Sequence, residues 1–242
     1  MMRKIQSAIK QAILSKSFLL GLIGVIVVVF ASSISDILDA LRTKELLTNG
    51  FHHNFIDKAI LSDAMTLAMP IIAALPFTAS FVNDIKSGFI KCYLHRTSRK
   101  NYIIGKSIAC GISGGLVLVL GIGLAYVISL IVFLPGEGSH TFTFYKDFVI
   151  KMVSIFLSGA FWSLCGLTFS TMTNSKYMAY ASPFIIYYVL IILYERYFDK
   201  LYVLYPKNWI QGDFGVIALL LGLIIAISAV FFCTTKRRIS QL

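Results

Sequence analysis

Apolar runs alternate with short polar stretches along the whole of this 242-residue chain. The apolar runs fall at roughly residues 17–33, 59–81, 107–134, 148–170, 178–194 and 214–233. Each approaches the length that an α-helix needs to cross hydrocarbon. Inside lipid the backbone must satisfy its own hydrogen bonds, so runs of this kind predict helices. The pattern predicts an all-α, polytopic membrane protein with six transmembrane helices. Two further stretches are amphipathic. Over residues 1–16, Ile5, Ile9 and Ile13 recur at i+4 with Ala8 and Ala12 beside them, and Arg3, Lys4, Gln6, Lys10 and Gln11 lie opposite. That pattern predicts a helix lying on the inner leaflet. Over residues 84–95, Ile85, Phe89 and Tyr93 recur at i, i+4 and i+8, with Ile90 and Leu94 alongside. A short helix outside the bilayer with such a face can dock into a groove on a partner. The competing reading is a solvated basic loop that only sets topology.

Small and aromatic residues refine the outline. Pro70 and Pro76 interrupt the second run and predict a kink. Ser107, Gly111 and Gly115 form a stripe at i+4 that Gly121 and Ala125 continue on a nearby face. Close packing inside the bundle is expected of it ahead of dimerisation. Residues 195–213 are polar yet rich in rings, with Tyr197, Phe198, Tyr202, Tyr205 and Trp209, as expected of a segment at headgroup level. The apolar run 18–30, followed by Ala31-Ser32-Ser33, has the length of a secretory leader. The amphipathic lead and the continuing hydrophobicity favour a retained first span.

Composition agrees: 57% of residues are hydrophobic and 14% charged, which excludes an ordinary soluble domain. The net charge of +11 raises nucleic acid as a partner. The cations, however, flank the apolar runs and form no nucleic-acid motif, so they read as topology signals. The proposed inner segments hold 14 of the 22 basic residues and, among the 11 acids, only Asp84. Both termini are therefore expected in the cytoplasm. Cys92, Cys110, Cys165 and Cys233 avoid the outer loops, so no exported disulfide is expected.

Candidate chemistry is sparse. No nucleophile elbow, paired intramembrane carboxylates or metal-ligand spacing occurs in the sequence. His52-His53 is adjacent pairing without further ligands at a metal spacing, so no metal is expected. Gly105-Lys106-Ser107 matches the end of a phosphate-binding loop, but Lys100 stands where that loop needs its first glycine. Asp63 and Lys151 lie near the outer ends of their runs. They are candidates for a polar substrate path together with Tyr205 and Trp209, and a pair between Asp63 and Lys151 is left open.

Asp84, Gly88, Leu94, Ser98-Arg99, Tyr102 and Gly105-Lys106 together resemble the acid–Gly–Leu–Ser-Arg–Tyr–Lys signature of ABC-2 type transporter permeases. The chain has Asp84 where the family usually has Glu, and Phe89 where it often has Thr. The resemblance implies that residues 84–95 form a coupling helix, with Asp84, Lys86, Gly88, Phe89, Leu94, Arg96 and Arg99 meeting a cytoplasmic ATPase dimer. That dimer would bind ATP and Mg, and the permease itself would be no enzyme. It further implies an elbow helix over 1–16, a re-entrant outer segment over 195–213, and a second copy or a related permease chain as partner. The expected activity is export in the cell membrane of an antimicrobial peptide or other amphiphile, or immunity to it. Two other classes stay open: a non-transporting immunity or sensor protein, and an ion-coupled carrier.

Overall fold

A computed structural model describes residues 2–42, 50–90, 98–136, 146–198 and 201–240. The described residues are overwhelmingly helical, with no strand among them. The first helix, α1 (Met2–Ile13), meets α2 (Lys16–Ser32) at a 54° bend. Ser15 makes that corner. Its hydroxyl donates to the Ala12 carbonyl at 2.8 Å and accepts from the Phe18 N–H at 3.1 Å. One residue thus closes α1 and caps α2. A short α3 (Ile34–Arg42) follows.

The second apolar run departs from expectation. In place of one kinked span over 59–81 there are three pieces: α4 (Phe51–Leu61), α5 (Asp63–Ala74) and α6 (Ser80–Lys86). Ser62, in extended conformation, donates to the Ala59 carbonyl at 2.7 Å and accepts from the Met65 N–H at 3.2 Å. That is a stop and a new N-cap, which hydropathy does not register. Pro70 is carried inside α5, whereas Pro76 coincides with a full break after Ala74. Leu75, before the proline, still has helical dihedrals, and its N–H turns back to the Ile72 carbonyl at 3.1 Å. The interrupted backbone is sealed by its neighbours. The Thr78 hydroxyl bonds the Ala74 carbonyl, and the Ser170 hydroxyl donates to the Thr78 carbonyl at 3.2 Å. Irregular backbone at such a position needs partners of this kind.

Among the described residues, four helices are long and apolar enough to cross a membrane: Arg99–Gly136, Phe148–Thr173, Lys176–Arg196 and Phe214–Ile239. The bent α1–α2 pair makes a fifth when counted as one span. The four lie within α7 (Arg99–Phe133, extended by a 3-10 turn Leu134–Gly136), α8 (Lys146–Thr173), α9 (Lys176–Arg196) and α10 (Phe214–Ser240).

The centre of the molecule is the α7–α8 pair, and small residues permit its closeness. A Cβ on Gly115 would stand 2.7 Å from the Phe156 carbonyl oxygen, and one on Gly159 would stand 2.7 Å from that of Gly114. Gly111 faces Ala160 and Leu164. Across the same contact the Ser163 hydroxyl donates to the Cys110 carbonyl at 3.0 Å, and the Cys110 thiol reaches the Ser163 carbonyl at 3.5 Å. The small-residue stripe therefore serves internal packing. Gly166 extends this logic to α9, where a side chain would overlap the Ala179 carbonyl. Gly166→Ala is expected to lower unfolding free energy in mixed micelles by about 2 kcal/mol, the usual cost of overpacking. Gly222→Ala on α10 has nothing within 4 Å of the added methyl and is expected to be neutral or slightly stabilising in the same titration.

Candidate functional site

Asp84 meets two residues from further along the chain, Tyr102 and Lys106, where α6 ends and α7 begins. Asp84 lies in the last turn of α6. Ser98 caps α7, its hydroxyl accepting from the Asn101 N–H at 3.4 Å. The capped start fixes the phase of α7, and i,i+4 spacing sets Tyr102 and Lys106 on one face. Both reach the same oxygen. The Tyr102 hydroxyl donates to Asp84 Oδ2 at 2.6 Å, and Lys106 Nζ lies 2.8 Å from it. Lys106 also sits over the Phe77 ring, 4.5 Å from its centroid. The side chains of Lys106 and Asp84 are only 10% and 20% exposed. At this burial the pair is held by hydrogen bonds in a region of weak screening, so removing one partner is costly.

The single helix expected over 84–95 is not continuous. Asp84 and Lys86 belong to α6, and Ser87–Gly88 turns the chain, with Gly88 at φ +73°, where glycine has no steric penalty. Helix resumes at Phe89 and Ile90. Hydrophobic spacing was compatible with one helix because Ile85 and Phe89 are four apart on either side of the turn. Ile90 is buried, Phe89 is 48% exposed, and Lys86 and Arg99 are exposed. Leu94 and Arg96 lie outside the described residues. Close by, Arg238 at the end of α10 donates to the Met172 carbonyl at 3.0 Å. The C-terminal helix is thereby tied to the end of α8 beside this site.

The outer candidates separate. Asp63 and Lys151 do not pair with each other. Lys151 Nζ bonds Asp57 Oδ2 at 2.8 Å, and Lys207 Nζ bonds Asp63 Oδ1 at 2.8 Å. The hydrogen bond to Asp63 raises the Lys207 pKa above its usual value. Asp63 is 86% exposed, so this pair is a surface one. Asp63→Asn is expected to cost under about 1 kcal/mol in an unfolding titration. His53 lies 3.8 Å from Asp57, and both His52 and His53 stand edge-on to Tyr126. The two histidines thus belong to a packed aromatic and ionic cluster, and no metal-holding group occurs among the described residues.

The outer aromatic stretch contains two 3-10 turns, Tyr202–Leu204 and Pro206–Ile210. Tyr205 stacks on Tyr194 with centroids 4.9 Å apart. Trp209 is 2% exposed and stacks on Trp162, midway along α8, at 5.6 Å; Phe161 packs edge-on against it. Its indole N–H donates to the Val203 carbonyl at 2.8 Å. Trp209, expected on a substrate path, is therefore a core residue in this structure. Composition does not separate an interface ring from a buried one.

These features define an all-helical chain with several helices able to cross a membrane and a buried acid–tyrosine–lysine contact at the junction of α6 and α7. Comparison of the chain with protein-family models, curated proteins and solved structures returns no match.

Proposed function

We propose that this chain is the membrane-spanning permease subunit of an ATP-driven exporter of the ABC-2 type. In this reading it crosses the cell membrane six times with both termini in the cytoplasm. The α1 helix is its elbow, α4 to α6 make an interrupted second crossing, and residues 195–213 re-enter from the outer face. A separate ATPase dimer, which would bind ATP and Mg, docks on the inner segment that begins at Asp84. The partner in the membrane is a second copy or a related permease. The cargo is an antimicrobial peptide or another amphiphile, moved outward or kept out as immunity.

One observation carries this reading. Asp84, Tyr102 and Lys106, three of the residues on which the family resemblance rests, meet at one carboxylate oxygen. A push on the segment after Gly88 has a mechanical route: through the Asp84 contact it reaches α7, a 35-residue helix at the centre of the bundle. Discrete contacts of this type convert small displacements into helix rearrangement. The exposed Lys86, Phe89 and Arg99 supply the docking chemistry, together with Leu94 and Arg96. The double charge reversal Arg96→Glu/Arg99→Glu is expected to abolish recruitment of the ATPase encoded beside this chain, while membrane insertion stays normal by fractionation. Recruitment at the wild-type level would remove the coupling assignment.

A further inference from the structure

A cavity of about 240 Å³ opens between the α1–α2 bend, the α5–α6 break and α7. Ser15 and Ser17 line it from the bend, Ser80, Asn83 and Asp84 from α6, and Lys106 from α7. We propose that this cavity binds the headgroup of a zwitterionic phospholipid, its phosphate toward Lys106 and its ammonium toward Asp84.

Charge balance selects the ligand. Asp84 and Lys106 neutralise one another across 2.8 Å, so the site presents one acid and one ammonium side by side. A ligand with a single charge would gain one of these groups and oppose the other. A zwitterion meets both, as an antiparallel pair of dipoles. The donors and acceptors have capacity for this. A lysine ammonium has three N–H donors, and Asp84 takes one. Both short contacts to Asp84 fall on Oδ2. The Ser80 hydroxyl is buried and has no hydrogen-bond partner in the protein. A buried polar atom of that kind is normally satisfied, and rotation about χ1 would turn this hydroxyl toward the cavity that Ser80 lines.

Size and place select a lipid. The volume matches roughly eight water molecules, the scale of a headgroup and far below that of a whole lipid. The cavity lies at the bend of an amphipathic helix into an apolar one, the level at which headgroups lie. Leu14 and Leu19, next to the bend, are 71% and 59% exposed and offer apolar surface to the acyl chains outside the cavity. The site does not depend on ATPase docking and stands independently of the transporter reading.

The test is native mass spectrometry of the detergent-purified full chain, titrated with phosphatidylethanolamine or with phosphatidylglycerol. Ser80→Leu and Ser17→Leu each fill the cavity without touching the Asp84–Lys106 pair. The wild type is expected to retain phosphatidylethanolamine in preference, and either variant to weaken retention by about tenfold, the scale of one lost polar contact. Equal retention of the two lipids, or retention unchanged in both variants, would overturn the proposal. Displacement of the lipid by equimolar glycerophosphoethanolamine would assign the site to a free zwitterion and overturn the lipid as its source. Two independent variants keep the test valid if one of them fails to fold.

Discussion

Trp209→Ala is expected to lower the unfolding free energy by about 4 kcal/mol, in the range for emptying a buried tryptophan site. The ring lies against Trp162 and Phe161, and its N–H bonds the Val203 carbonyl. Truncation removes two aromatic contacts, opens a cavity in α8 and leaves that carbonyl without its donor. Trp209→Phe keeps most of the packing and loses the hydrogen bond, so it should cost far less, about 1 kcal/mol beyond the change in ring size. Denaturant titration in mixed micelles separates the two variants. Near-equal stability of wild type and Trp209→Ala, with a selective loss of substrate handling, would return Trp209 to the substrate path.

The second large effect is at Asp84. Asp84→Ala leaves the Lys106 ammonium largely buried against Phe77 with its counter-charge removed. Breaking one half of such a pair costs about 3 kcal/mol, because an uncompensated charge stays behind. The Tyr102 hydroxyl loses the same acceptor. The double variant Asp84→Ala/Lys106→Met removes the charge together with its partner and should recover most of the loss. This cycle separates a buried pair from a surface one. Additive losses in the double variant would mean that the two residues act independently, contrary to their shared contact.

Much of the architecture was legible because hydropathy reports length. The runs at 107–134, 148–170, 178–194 and 214–233 correspond to α7, α8, α9 and α10. The amphipathic lead follows from the i+4 isoleucines, whereas the corner at Ser15 needed the structure. The second run was misleading for a physical reason. Ser62 and the 75–79 turn are satisfied by local hydroxyl bonds and by Ser170 from α8, and such partners leave no trace in apolar content. The positive φ of Gly88, which ends α6, was not predicted.

Site residues show the same division. Lys106 at i+4 from Tyr102 was visible as spacing, and Asp84 as the one inner acid. Their meeting at one oxygen needed the α6–α7 geometry. Asp63 and Lys151 were the ions nearest the outer span ends, and spacing left open whether they pair. The structure offers Asp57 and Lys207 instead, since α4 stands apart from α5 and the 3-10 turns bring Lys207 over Asp63. Trp209 was read from composition as a ring at the interface, and its burial against Trp162 and Phe161 was not legible there.

The most direct test of the permease account is ATP hydrolysis by an ABC-type ATPase co-expressed with this chain and reconstituted with it in lipid. The account predicts vanadate-sensitive hydrolysis that requires the chain and falls when Lys86, Phe89 and Arg99 are replaced together, with assembly of the chain itself unchanged. Hydrolysis by the ATPase that is indifferent to this chain, under every nucleotide condition, would contradict the account.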